Sequence, residues 1–106
     1  MNLLSIGGSD PSAGAGIQSD IKTFSTFDVY GLTIVTAITG QNTSDFEMIE
    51  PVSKMILENQ LKSIIKDFKI DGIKIGMLYN SQIIKIIYQY LKKLKIPIVV
   101  DPVIKS

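Results

Sequence analysis

Apolar residues in this 106-residue chain fall alternately into short runs and spaced stripes. Residues 3–7 form a brief apolar run stopped by Gly7 and Gly8, a length and boundary that suit a buried strand. Residues 8–16 consist of turn formers and small side chains, whose backbone can approach a ligand closely. Ile17, Ile21 and Phe24 then recur at helical spacing, and Gly31 punctuates the end of that helix. Residues 32–38 are dense in β-branched side chains, which predicts a second strand running into the polar cluster 40–43. Residues 48–52 read as a short extended piece, and Ser53 as the N-cap of a second helix. Leu57, Leu61, Ile64, Ile65 and Phe68 give that helix one apolar stripe, with Lys62, Lys66 and Asp67 elsewhere. A strand at 70–76 follows, then Asn80 and Ser81 as capping candidates for a third helix through Ile83, Ile84, Ile87, Leu91 and Leu94. Lys92, Lys93 and Lys95 lie near the negative end of that helix, and a last strand covers 97–100.

This alternation of strand and helix is the pattern of successive right-handed crossovers, so the sequence predicts an α/β fold with a parallel sheet covered by helices. Ligand sites in open parallel sheets lie beyond the carboxyl ends of the strands. The rule selects residues 7–16, 39–43, 76–79 and 101–106, all of which carry polar or glycine residues where the preceding strands are apolar.

Composition narrows the chemistry. The length allows one compact domain and is too short for two. No apolar run approaches a membrane span, and the opening residues lack the basic start and cleavage site of a signal peptide, which predicts a soluble, cytoplasmic protein. Net charge is +1 and all 11 basic residues are lysines, so the guanidinium forks that suit base-edge recognition are missing and nucleic acid is a poor partner. With no Cys and no His, disulfides, thiolate catalysis and the usual general base are excluded. Carboxylates, amides, hydroxyls and backbone remain.

The glycine loop fits neither standard nucleotide motif. A Walker A loop needs Gly-Lys followed by Ser or Thr, which does not occur, and a dinucleotide fingerprint counted from Gly14 and Gly16 puts Ser19 where Gly or Ala belongs. The loop is then either a tight strand-to-helix connection or a surface on which a small substrate lies against the backbone.

Gly7-Gly8-Ser9-Asp10-Pro11-Ser12-Ala13-Gly14-Ala15-Gly16-Ile17-Gln18, followed by Asp20, Lys22 and Thr23, resembles the opening signature of hydroxymethylpyrimidine/phosphomethylpyrimidine kinases of thiamine biosynthesis. Thr36-Ala37-Ile38-Thr39-Gly40-Gln41-Asn42-Thr43, Lys74-Ile75-Gly76-Met77-Leu78 and Val99-Val100-Asp101-Pro102-Val103 follow in the family's order. The resemblance implies a ribokinase-like three-layer fold and an ATP- and Mg²⁺-dependent transfer of phosphate to an aminopyrimidine alcohol, then to its monophosphate. It matches Gln41 to a pyrimidine-reading glutamine, whose amide complements a ring nitrogen beside an exocyclic amine. Gly8 and Ala15 match positions where the substrate lies on the first loop, Met77 and Val103 match apolar contacts on its ring, and Asp20 matches an aspartate facing its hydroxymethyl side.

Each of these residues also has an ordinary reading. Gln41 suits a solvated loop, Met77 core packing, and Asp20 a helix's first turn, where it meets the dipole. Asp101 is either a turn-forming residue or a carboxylate holding metal-bound water, and Ser9, Asp10 and Asn42 are left undecided. The resemblance further implies that residues 1–106 are the N-terminal, substrate-binding part of one kinase domain, with the catalytic residue and most of the ATP pocket in a C-terminal part not present here. On that reading strand edges and apolar faces are left uncovered, and the isolated chain is expected to be inactive and unstable or self-associating. A homodimer is one expectation for the full-length form. The rival readings are a pyridoxine-type kinase and a non-catalytic substrate-binding remnant that needs a complementing C-terminal half.

Overall fold

The computed structural model describes residues 1–41 and 46–101. Eight elements follow one another: β1 (Asn2–Ser9), α1 (Gly16–Thr26), β2 (Tyr30–Gln41), β3 (Phe46–Pro51), α2 (Lys54–Asp67), β4 (Gly72–Ile75), α3 (Ser81–Leu91) and β5 (Ile98–Val100). They build one five-stranded sheet in the order β3-β2-β1-β4-β5. β1 pairs in parallel with both β2 and β4, and β5 pairs in parallel with β4. The expected mainly parallel α/β architecture is present.

The extended piece expected at 48–52 turns out to be β3, and it runs antiparallel to β2 at the sheet's edge. β2 is consequently longer than the β-branched run, because its second half pairs with β3. Where β3 peels away, Gln60 of α2 continues the pairing. Its amide donates to the Val35 carbonyl at 2.9 Å and accepts from the Val35 N–H at 2.7 Å, filling backbone positions that would otherwise be unpaired.

Side-chain alternation along β1 sorts the two faces. Leu4 and Ile6 are fully buried in a cluster with Leu32, Ile34, Leu57, Leu61, Ile83 and Ile87, which sits between the sheet and the α2–α3 layer. Burying a leucine of this kind is worth about 1.5–3 kcal/mol. Ser5 faces the other way, toward α1, so the sheet lies between two helical layers. The predicted caps are in place: Ser53 Oγ accepts from Ile56 N–H at 3.2 Å, and Asn80 Oδ1 from Ile83 N–H at 2.9 Å. α3 stops at Leu91, earlier than its apolar stripe suggested, and Lys92 lies over the Tyr88 ring at 5.9 Å.

The β5 edge is bare. Ile98, Val99 and Val100 are 39%, 63% and 61% exposed, and β4 is the strand's single neighbour among the described residues. An apolar groove of about 280 Å³ between Ile84, Tyr88 and Ile98 lies on one side of this edge, and one of about 390 Å³ between Leu3, Phe24 and Val99 on the other. Exposed apolar edges pair with other chains. Sedimentation of the 106-residue chain should therefore show concentration-dependent oligomers, and Val99→Lys should shift them toward monomer. A monodisperse wild-type monomer would contradict this account of the edge.

Candidate functional site

The chain travels from β1 to β2 on one side and later returns to β4 on the other, so the carboxyl end of β1 is the point where the strand order reverses. Crevices at such points are where open α/β sheets bind ligands. Gly8 and Ser9 close β1, Gln41 ends β2, and residues 76–79 follow β4. Three of the four segments selected from the sequence are thereby brought to one sheet edge.

The first loop is held by its own polar groups. Asp10 is 4% exposed, and its carboxylate accepts from Ser12 N–H at 2.9 Å, Ser12 Oγ–H at 2.7 Å and Ala15 N–H at 2.8 Å. Gln18, from the first turn of α1, accepts from Asp10 N–H and donates to Ser9 Oγ, both at 2.8 Å. Lys22 donates to the Ala13 carbonyl at 3.1 Å. Gly16 has φ +65°, and a β-carbon there would strike the Gly8 carbonyl, so only glycine closes this turn. Ala15 itself is exposed and extended, and its N–H is directed inward onto Asp10.

The β2 and β4 ends are tied to the same edge. Thr39 donates to the Ser9 carbonyl at 2.6 Å, and the fully buried Thr36 donates to the Met77 carbonyl at 3.3 Å. Met77 is half-buried beside them. Gln41 pairs with Phe46 next to an irregularity between Gly40 and Gln41. Asn42 and Val103 lie outside the described residues.

Asp20 sits below this edge. α1 begins at Gly16, which puts Asp20 beyond its first turn, and its carboxylate is occupied by Ser5 Oγ–H at 2.6 Å and by Lys74 Nζ at 2.9 Å. Lys74 also reaches Asp101 Oδ2 at 3.8 Å, although Asp101 is largely exposed. The parallel register of β1 and β4 puts Ser5 beside Lys74 on one sheet face, and polar residues inside otherwise apolar strands are the sequence signal that could have found this network.

The phosphomethylpyrimidine kinase family model matches residues 10–106. The chain belongs to that family. It is 44% identical to the hydroxymethylpyrimidine/phosphomethylpyrimidine kinase of Aquifex aeolicus (strain VF5), over all of this chain and 42% of the relative. The corresponding kinase of Escherichia coli (strain K12) is 40% identical over 94% of this chain and 38% of its own length. Among solved structures, a phosphomethylpyrimidine kinase from Clostridium difficile 630 superposes with a TM-score of 0.94 at 43% identity, covering 98% of this chain and 48% of that one. A Bacillus subtilis pyridoxal kinase, solved with ADP, gives a TM-score of 0.87 at 36% identity, covering 99% of this chain and 42% of that one. The fold is ribokinase-like, and the chain spans less than half the length of these relatives.

Hydrogen bonding to Ser12, the largest influence, outweighs burial and holds the Asp10 carboxyl below the usual carboxylate range, with the Ala15 and Gly14 amides assisting. The unfolded chain therefore takes up the proton first. Asp10 contributes its full stabilisation above the ordinary carboxylate pKa of about 4, and loses it as pH falls through the lower folded value. Asp10→Asn should lower stability by about 1–3 kcal/mol near neutral pH and flatten the acid limb of a denaturation-versus-pH series. An unchanged acid limb would show that the loop is held by other groups.

Proposed function

We propose that this chain forms the substrate-binding part of a hydroxymethylpyrimidine/phosphomethylpyrimidine kinase. The complete enzyme would phosphorylate 4-amino-5-hydroxymethyl-2-methylpyrimidine and then its monophosphate on the way to thiamine diphosphate. The observation that carries the reading is the family match over residues 10–106, combined with convergence of the Gly8, Gln41 and Met77 segments at the strand-order reversal. On this reading the Gln41 amide pairs with the aminopyrimidine edge, Gly8 and Ala15 leave room for the ring against the loop, and Met77 and Val103 cover its apolar faces. The Asp20 carboxylate, matched by resemblance to the hydroxymethyl side, is engaged by Ser5 and Lys74, and no substrate contact is assigned to it.

Membership of a kinase family supports ATP as the phosphate donor, we infer Mg²⁺ with it, and a pyridoxal kinase neighbour from Staphylococcus aureus was solved with AMP-PCP and pyridoxal. The described residues offer Asp101 as the carboxylate weighed for a Mg²⁺–ATP site. No three carboxylates gather among them, and Asp101, the candidate for holding metal-bound water, is turned toward Lys74. No step of phosphoryl transfer is assigned to this chain, since that reaction rests on positioned cations and anion-binding groups. We assign them to a further C-terminal part of the kinase domain, with which residues 1–106 would form one unit. No described helix is long and apolar enough to cross a membrane.

The pyridoxal kinases of similar fold keep a pyridoxine-type substrate as the second reading. Calorimetry of the chain with the aminopyrimidine alcohol and with pyridoxal separates the two. The aminopyrimidine should bind more tightly, and Gln41→Leu should weaken it by about 1–3 kcal/mol, the cost of an unpaired polar edge. Tighter binding of pyridoxal would overturn the substrate assignment. Phosphorylation should appear only when a C-terminal half is supplied in trans, and turnover by the chain alone would refute the division of labour.

A further inference from the structure

The substrate reading makes the face of Gly8 the place where a flat ring lies, yet in the ligand-free fold that face is already covered. Tyr79 spans it. The position a β-carbon would take on Gly8 is filled by the Tyr79 hydroxyl, and the neighbouring ring carbons are within 3.1 Å of it. A ligand ring and the phenol cannot occupy this surface together.

The backbone that holds Tyr79 there is unusual. Tyr79 has φ +69° and stands at the centre of a γ-turn closed by Asn80 N–H donating to the Leu78 carbonyl at 2.8 Å. Non-glycine residues seldom adopt this conformation, and it persists where surroundings over-determine it. The surroundings here do so from both sides. Asn80 is fixed by its cap bond to Ile83 N–H, and the Met77 carbonyl is held by Thr36. The turn is clamped at each end. The phenol is not: its hydroxyl bonds to no side chain or backbone group among the described residues, and packing alone keeps the ring in place. A phenol is uncharged near neutral pH, and burial pushes the Tyr79 pKa further up, so no ionic tether holds the ring.

We propose that Tyr79 is a plug on the substrate site, an aromatic side chain that occupies the ring position on Gly8 until a flat heteroaromatic ligand displaces it. This inference rests on the aminopyrimidine reading of the site. The γ-turn aims the ring, and rotation about the side chain's own bonds opens the crevice without disturbing the clamped backbone. A plug lowers apparent affinity by the fraction of time the site is covered. It also selects for ligands flat enough to take the ring's place on Gly8.

Two measurements on the full 106-residue chain test this. In calorimetry with 4-amino-5-hydroxymethyl-2-methylpyrimidine, Tyr79→Gly should bind roughly tenfold more tightly than wild type, because glycine keeps the positive φ and removes the cover. Tyr79→Phe should stay within about twofold of wild type, because the ring is retained and the hydroxyl carries no bond. Weaker binding by Tyr79→Gly would make the ring a wall of the site and overturn the plug while leaving the substrate reading intact. Absence of binding by wild type and both variants would refute the substrate reading itself.

The second measurement needs no affinity. In protein labelled with 3-fluorotyrosine, the Tyr79 fluorine resonance, assigned through Tyr79→Phe, should be displaced from the free amino-acid position and return toward it as ligand is added. A resonance already at the free position without ligand would overturn the plug whatever the calorimetry shows.

Discussion

The structure depends on β1 being hydrogen-bonded in parallel on both sides. Its backbone meets β2 from Asn2 to Ser9 and β4 from Leu3 to Ile6, and its even-numbered side chains Leu4 and Ile6 are fully buried. A strand paired on both sides and covered on both faces is open only at its two ends, and in open parallel sheets ligands meet the carboxyl end. The polar loop after Gly8 is therefore presented at the one place where the sheet's strands stop and the strand order reverses. The site follows from that constraint before any particular side chain is considered.

A loop presented in this way must still keep its shape without a ligand. Asp10 and Gln18 provide that by turning polar side chains onto loop amides, and Gly16 removes the β-carbon that would collide with the Gly8 carbonyl. Preorganisation of this kind spares a binding site the entropy of ordering its own loop. Below it, Ser5, Asp20 and Lys74 form a partly buried ionic network on the α1 face, where each charge has its partner within 2.9 Å. Such a network ties α1 to β1 and β4, and the cost of desolvating its charges offsets much of what their attraction contributes to stability.

Much of the fold was legible because its helices and strands carry unmixed periods. The stripe from Leu57 to Phe68, the caps Ser53 and Asn80 and the β-branched run around Ile34 all gave local signals that agree with their surroundings. The antiparallel direction of β3 was not legible, since a short extended segment carries no mark of the direction in which it will pair. Nor was the Gln60 contact to Val35, a tertiary use of a polar residue that reads as ordinary helix surface. At the site, the glycine-rich loop was conspicuous, but the organising role of Asp10 depends on a loop conformation that residue types alone do not specify. The positions Gly8, Ala15, Gln41, Met77 and Val103 came from family resemblance. Tyr79 fell inside the selected segment 76–79 but was not singled out, because its importance arises from a positive φ and a neighbour 71 residues away at Gly8.

The central proposal is that the carboxyl end of β1 binds a small heteroaromatic alcohol on a loop that keeps its shape without ligand, in the place Tyr79 otherwise covers. Residue-resolved amide exchange, with and without 4-amino-5-hydroxymethyl-2-methylpyrimidine, addresses it most directly. The account predicts that ligand slows exchange in residues 8–16 and 76–80 and leaves the two grooves beside β5 unchanged. Slowing confined to the β5 grooves, or loop amides at 12–15 that exchange as fast as an unfolded chain with and without ligand, would contradict it.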